Sequence, residues 1–243
     1  MEIKKVKTLI VSGDGINADQ ELGNAFLNAH AEVTFLHINE LIAGPQLIHQ
    51  YDILAFPGGF SFGDEIRSGK VLSIKIKNSI LDEIVKFKEA KKLIIGICNG
   101  FQILVQLNLF DTNPNSQKSY TLSTNDHGKF KNFWTKVSVI NKHSPWLKDL
   151  ESDFYLPVRH KEGRLFGDID QNLYALKYNE DINGSIDQVA GIVDHSGTVF
   201  GLMPHPEAAL SELLQPIDID PENYKKVSKI FKNAVQYSMM RGV

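Results

Sequence analysis

The sequence predicts an α/β fold: an open, mostly parallel central sheet with helices on both faces and an antiparallel extension. Three observations carry this. Strand-like and helix-like segments alternate through the first half of the chain. The run Tyr51 to Phe56 is almost wholly apolar, as a parallel strand covered on both faces must be. The second half changes character and reads as a succession of strands closed by one long helix.

Taken in order, Val6 to Ser12 is a strand ending in Gly13-Asp14-Gly15. Asn17 to Ala29 reads as a helix with Ala18, Leu22, Ala25, Phe26 and Ala29 on one face. Glu32 to His37 and Tyr51 to Phe56 are the next strands. Residues 64–90 carry helical periodicity, with Ile80, Ile84 and Phe87 aligned. Leu93 to Ile97 is a fourth strand and Phe101 to Leu109 a helix. Residues 111–129 are polar and read as a loop or insertion. Phe130 to Ile140, Phe154 to Arg159, Leu173 to Tyr178 and Gln188 to Val193 read as strands. Asp194 to Thr198 is a hairpin turn into Val199 to Met203. Residues 221–241 form the last helix, with Pro221 near its start and Tyr224, Val227, Ile230, Phe231, Ala234 and Val235 as its buried stripe.

The chain has 243 residues, 42% hydrophobic, enough for one large α/β domain or two small ones. No repeat and no linker divides it, so a single domain over residues 1–243 is expected. The net charge is −3, and no basic stripe calls for a nucleic acid. No apolar run approaches the roughly 18 residues of a membrane span. The charged start, Met1 to Lys7, does not read as a signal peptide. One cysteine permits no internal disulfide, and a reduced, cytoplasmic setting is the simplest expectation. The eight histidines show no metal-ligand spacing, so no metal is expected.

That one cysteine is the centre of the functional argument. In Gly96-Ile-Cys-Asn-Gly100 an apolar strand runs straight into a turn and then into a helix. This is the context of a nucleophile elbow, with a thiol where many hydrolases carry a hydroxyl. Glycines on either side allow the sharp turn and close approach of neighbouring chain. A thiol at a helix N-terminus also meets the positive end of the dipole, which favours the thiolate. The competing reading is a buried structural cysteine.

Two further segments bear on it. Phe56-Pro-Gly-Gly-Phe-Ser-Phe-Gly-Asp64 follows the third strand, and its glycine pair lets N–H groups point into the crevice at the carboxyl ends of the strands. Gly201-Leu-Met-Pro-His-Pro-Glu207 follows the last strand. In an extended segment residues two apart point the same way, so Glu207 can orient the imidazole of His205. A plain βα turn and a helix-capping turn are the bland readings of these two segments.

These motifs, with His160-Lys-Glu-Gly-Arg164, Asn183-Gly-Ser185 and Ala190-Gly191, resemble those of the class I, triad-type glutamine amidotransferases. Within that class the chain is similar to the glutaminase subunits of phosphoribosylformylglycinamidine synthase. The resemblance implies a flavodoxin-like sheet and a triad of Cys98, His205 and Glu207. Cys98 would attack the side-chain amide of glutamine, His205 would relay protons and Glu207 would orient it. N–H groups near Gly59 and Phe60, with that of Asn99, would hold the oxyanion. Gln102 and the Gly58–Gly59 loop would help seat the substrate. His160, Glu162 and Arg164 would line the crevice for substrate or interface. A general-base role for His160 ranks below that of His205, and ordinary salt bridges remain open for Glu162 and Arg164.

The resemblance also implies no cofactor in this chain. Ammonia would pass to a synthetase subunit that uses ATP and Mg to make the amidine from formylglycinamide ribonucleotide, with a small accessory subunit in the complex. The absence of a phosphate-cradling lysine loop agrees with that division. Ala18 stands where the family often has cysteine and Phe133 where it often has arginine. The stretch Asp111 to Asn125 is longer and more polar than usual, and residues 141–153 match poorly. One rival is a freestanding cysteine amidase or protease of the PfpI-like group. Its histidine follows the cysteine almost at once, whereas Asn99, Gly100 and Phe101 stand here. A binding-only scaffold is the other rival.

Overall fold

The computed structural model describes residues 5–150 and 153–241. The charged tetrapeptide Met1–Lys4, residues 151–152 of the poorly matching stretch, and the last two residues of the expected domain lie outside the described residues.

The chain runs β1 (Lys7–Ser12), α1 (Asp19–Asn28), β2 (Glu32–His37), α2 (Ile38–Ala43), β3 (Ile53–Phe56), α3 (Lys70–Ser79), α4 (Leu81–Glu89), β4 (Leu93–Ile97) and α5 (Asn99–Gln106). Then follow β5 (Tyr120–Ser123), β6 (Lys131–Val139), β7 (Asp153–His160), β8 (Arg164–Gly167), β9 (Tyr174–Tyr178), β10 (Val189–Val193), β11 (Val199–Leu202) and α6 (Asn223–Arg241). One nine-stranded sheet has the order β2-β1-β3-β4-β11-β10-β9-β6-β7. The first five of these run parallel and the rest antiparallel, as the two halves of the sequence require.

Every residue of β3 and β4 is buried, which is why their sequences are continuous apolar runs rather than alternating ones. The predicted face of α1 is buried in full, and Phe26 on it meets Phe231 of α6 edge-on at 5.2 Å between ring centroids. Such a pair adds about 1 kcal/mol beyond its buried area. On α6 the predicted stripe is buried except Tyr224, which is half-buried at the first turn. Among the described residues no helix is long and apolar enough to cross a membrane.

Four segments depart from the expectation, one of them the strand β8, which the sequence reading did not assign. The helical stretch 64–90 is two helices, broken at Ile80, whose φ of −129° leaves the helical region. The polar stretch 111–129 contains β5, which pairs antiparallel with β8 in a separate two-stranded sheet. Its pattern, buried at Tyr120 and Leu122 only, is too short to stand out in a polar run. Between β2 and β3 lie α2 and a 3₁₀ segment, Pro45–Gln50, neither of which the sequence reading assigned.

The sheet order positions the site. β1, β3, β4 and β11 are parallel, and β11 and β3 flank β4. The loops that follow them, carrying Gly13–Gly15, Pro57–Gly59, Cys98 and Met203–His205, therefore emerge at one end of the sheet. The antiparallel half curls back over that end: the far-edge strand β7 offers the Pro157 carbonyl to the His205 N–H at 2.9 Å.

Candidate active site

Cys98 occupies the single residue between β4 and α5, with φ 52° and ψ −106°. A β-carbon in that region costs about 1–3 kcal/mol, so the surroundings must hold it there. They do: its N–H donates to the Leu202 carbonyl at 2.8 Å, and its own carbonyl accepts from the Gln102 N–H at 3.0 Å. The elbow also sits hard against its neighbours. A β-carbon on Gly100 would lie 1.9 Å from the Phe56 carbonyl oxygen, and one on Gly96 2.7 Å from the Gly100 backbone. The glycines are thus required by strand–helix contact, as their spacing suggested.

His205 and Glu207 follow β11, both buried, and Nδ1 of the imidazole lies 2.6 Å from Oε1 of the carboxylate. The pairing does not come from an extended segment. Pro206 opens a 3₁₀ turn over Pro206–Ala209, and the turn folds Glu207 back onto His205. Burial pushes the imidazole pKa down, but the charge of Glu207, followed by that of Cys98, outweighs it and raises His205 to about 10. Nε2 is buried and has no hydrogen-bond partner among the described residues. It faces the cleft that Cys98 lines. Gly58 keeps the ring in place: a β-carbon there would be 2.8 Å from His205 Cε1 and 3.5 Å from Cys98 Cβ.

The glycine loop serves the cleft differently from expectation at one residue. The Phe60 N–H donates to the Gly15 carbonyl at 2.8 Å, so it is not free for an oxyanion. The loop is stapled to the segment after β1, because Asn17 and Ala18 also donate to the Gly58 carbonyl. The N–H groups of Gly59 and Asn99 have no partner among the described residues. Phe60, an exposed residue, instead lines the cleft wall.

The side chains of Asn99 and Gln102 are buried and linked at 3.0 Å. Asn99 Nδ2 also reaches Asp64 at 3.1 Å, and Gln102 Nε2 reaches the Glu162 carbonyl at 2.5 Å. Asp64 accepts further bonds from Ser68 Oγ and the Gly69 N–H, yet burial raises its carboxyl above the usual range. Glu162 accepts from the Ser68 N–H at 3.3 Å and lies 3.9 Å from the Arg67 guanidinium. His160, only 3% exposed, hydrogen-bonds Asn125 through Nδ1 and is pushed down to about 3 by burial, with His205 and other cations adding to it.

Two lobes meet at Cys98. One, of about 380 Å³, runs past His205 toward Asn17, Glu21 and Asn132. The other, of about 220 Å³, runs past Gln102 toward Asp64, His160 and Glu162. Of the predicted residues, only Arg164 stays away. Its Nε donates to the Gly184 carbonyl at 2.9 Å and its guanidinium lies over the Phe166 ring, tying β8 to the 183–185 loop. An alternating strand simply turns it aside from the cleft.

Sequence reading passed over Arg159 and Asn125. The Arg159 carbonyl lies 3.7 Å from Cys98 Sγ, and the residue lines both lobes. The adjacent His160 was the available signal. Asn125 lay in the presumed loop. Among the described residues no group of three histidine, cysteine or carboxylate side chains converges as a metal site would. What converges is a thiol, a carboxylate-paired imidazole and two free N–H groups, the parts needed to cleave an amide through a thioester.

Known proteins agree with that reading. Residues 5–238 match the CobB/CobQ-like glutamine amidotransferase domain family. The phosphoribosylformylglycinamidine synthase subunit PurQ of Dehalococcoides mccartyi is 37% identical, over 97% of this chain and 99% of its own. That of Methanococcus maripaludis is 35% identical, over 95% and 97%. The solved PurLQS structure from Thermotoga maritima contains a chain with a TM-score of 0.79 and 32% identity, covering 96% of this chain and 99% of that one. A glutamine amidotransferase structure from the same organism, at 14% identity and a TM-score of 0.59, shares the fold. The chain belongs to the CobB/CobQ-like glutamine amidotransferases and, within them, to the PurQ subunits of phosphoribosylformylglycinamidine synthase.

Proposed function

We infer that this chain is the glutaminase subunit of phosphoribosylformylglycinamidine synthase, supplying ammonia for purine biosynthesis. One observation supports Cys98 as its nucleophile above all others: the thiol is held in a strained elbow beside a buried imidazole that a carboxylate orients. Sγ attacks the side-chain carbonyl carbon of glutamine after its proton has moved to His205 Nε2, where the charge of Glu207 holds it. The N–H groups of Gly59 and Asn99 hold the oxyanion. His205 returns the proton to the departing nitrogen, the C–N bond breaks, and ammonia leaves behind a Cys98 glutamyl thioester. Water, deprotonated by His205, then releases glutamate.

The ammonia passes to a synthetase subunit, where ATP and Mg drive formation of the amidine, with a small accessory subunit in the assembly and the whole in the cytoplasm. Similarity to a chain of the PurLQS structure supports the multi-subunit assembly.

The test is mass spectrometry after treatment with 6-diazo-5-oxo-norleucine, with and without excess glutamine. The expected result is a single adduct on Cys98 that glutamine prevents. An adduct elsewhere, or labelling indifferent to glutamine in the presence of the purified synthetase, overturns the assignment.

A further inference from the structure

His160 sits in the cleft without a role in the chemistry above, and its hydrogen bonds define what it offers. The amide of Asn125 is oriented by partners on both sides. Its Nδ2 donates to the Lys129 and His160 carbonyls, each at 3.0 Å, and its Oδ1 accepts from the Gly163 N–H at 3.2 Å. Turned over, it would set oxygen against two carbonyls and nitrogen against an N–H. The atom facing His160 Nδ1 at 3.2 Å is therefore an acceptor, and Nδ1 must carry the proton. Nε2 is left with a bare lone pair, buried, with no partner among the described residues. Gly163 pins the ring, since a β-carbon there would lie 2.2 Å from Nδ1. Burial keeps the ring neutral, so the lone pair stays available at physiological pH.

A buried acceptor without a donor awaits one from a ligand. Glutamine brings two donor groups, its amide and its α-ammonium. His205 must protonate the leaving nitrogen, and His205 lines the lobe with Asn17 and Glu21, not the one with Gln102. The amide nitrogen thus leaves on that side, and the rest of the substrate extends into the other lobe. That lobe holds His160 and the acid groups Asp64 and Glu162 together with the cations Arg159 and Lys161, so both charges of an α-amino acid meet opposite charge there and the ammonium has acceptors on the His160 side.

Resting on the glutaminase reading, we propose that His160 is a specificity-determining residue whose Nε2 accepts a hydrogen bond from the α-ammonium of glutamine. The role is recognition of an α-amino acid, separate from the bond-breaking of Cys98 and His205.

The test compares glutamine with 5-amino-5-oxopentanoate, which has the same amide but no α-ammonium, in the complex with the synthetase. Steady-state kinetics are measured for wild type, His160→Phe and His160→Gln. In His160→Phe, KM for glutamine should rise about tenfold to a hundredfold, the worth of a hydrogen bond from a charged donor, with kcat little changed. Activity toward the deaminated substrate should hold, so the preference for glutamine narrows by the same factor. His160→Gln, which restores an acceptor, should recover part of the preference. If Phe is not accommodated, the smaller His160→Asn serves with the same expectation. Equal losses on both substrates, or an unchanged preference, overturn the role of His160 alone. A wild-type complex inert to glutamine overturns the glutaminase reading and this proposal with it.

Discussion

His205 and His160 face one cleft from two different regions, the turn after the last parallel strand and the end of an antiparallel one. Both rings are buried, both anchor Nδ1, and both leave Nε2 without a partner among the described residues. The anchors differ: a carboxylate at 2.6 Å for His205, an amide oxygen at 3.2 Å for His160. The first ring is raised to about 10 and the second lowered to about 3. Burial acts on both in the same direction. The charge of the partner decides whether a buried histidine becomes a proton carrier or a neutral acceptor.

Exchanging the anchors should exchange the roles. The largest effect is expected from Glu207→Gln, which removes the charge and the tautomer control from His205. Turnover of glutamine should fall about a thousandfold or more, as for the analogous carboxylate in other triads. A loss below about tenfold in kcat would show that the carboxylate does not set the behaviour of His205.

Gly58→Ala touches only one of the two rings. Its new β-carbon would meet His205 Cε1 at 2.8 Å, and displacing the ring should cost about a hundredfold in kcat. The preference for glutamine over its deaminated analogue should not move. A change in that preference would mean that the two rings are not independent.

Asn125→Asp is the reverse exchange. A carboxylate beside His160 Nδ1 should raise the ring toward the behaviour of His205 and put a proton on the lone pair. KM for glutamine should rise about tenfold with kcat largely kept. The carboxylate would also face the Lys129 and His160 carbonyls, so a stability loss of about 1–3 kcal/mol should appear in denaturant titrations.

The smallest effect is on stability as a function of pH. The value of His205 is higher in the fold than the ordinary 6.5, so its contribution is complete below 6.5 and is lost as pH rises toward 10. The value of His160 is lower, so its contribution is present above 6.5 and is lost as pH falls toward 3. Thermal melts should therefore decline on both sides of neutrality. Glu207→Gln should flatten the alkaline arm and His160→Phe the acid arm, by a few degrees each for a chain of this size. Identical pH profiles in the variants and wild type would refute the opposed assignments.

The parts of the site legible in the sequence were those made by contiguous residues. Gly96 to Gly100 announced an elbow because strand, turn and helix are consecutive there. The His205–Glu207 pair was visible as well, though a 3₁₀ turn brings the two together rather than an extended segment. The N–H of Phe60 was misjudged because its acceptor, the Gly15 carbonyl, comes from a loop distant in sequence. Arg164, expected to line the crevice for substrate or interface, points away from the cleft because its direction depends on how β8 pairs with β5. Arg159 and Asn125 were missed because their places depend on the antiparallel half curling over the sheet end.

By itself, then, the sequence determined the alternation of elements, the parallel core of β3 and β4, and the chemical identity of thiol, imidazole and carboxylate. Apolar periodicity and turn chemistry are local, and each is written in adjacent residues. Only the tertiary structure decided which N–H groups stay free, that Arg159 joins the cleft wall and Asn125 backs His160, and which histidine holds its proton. Those outcomes depend on burial and on partners far along the chain, and no local pattern encodes either.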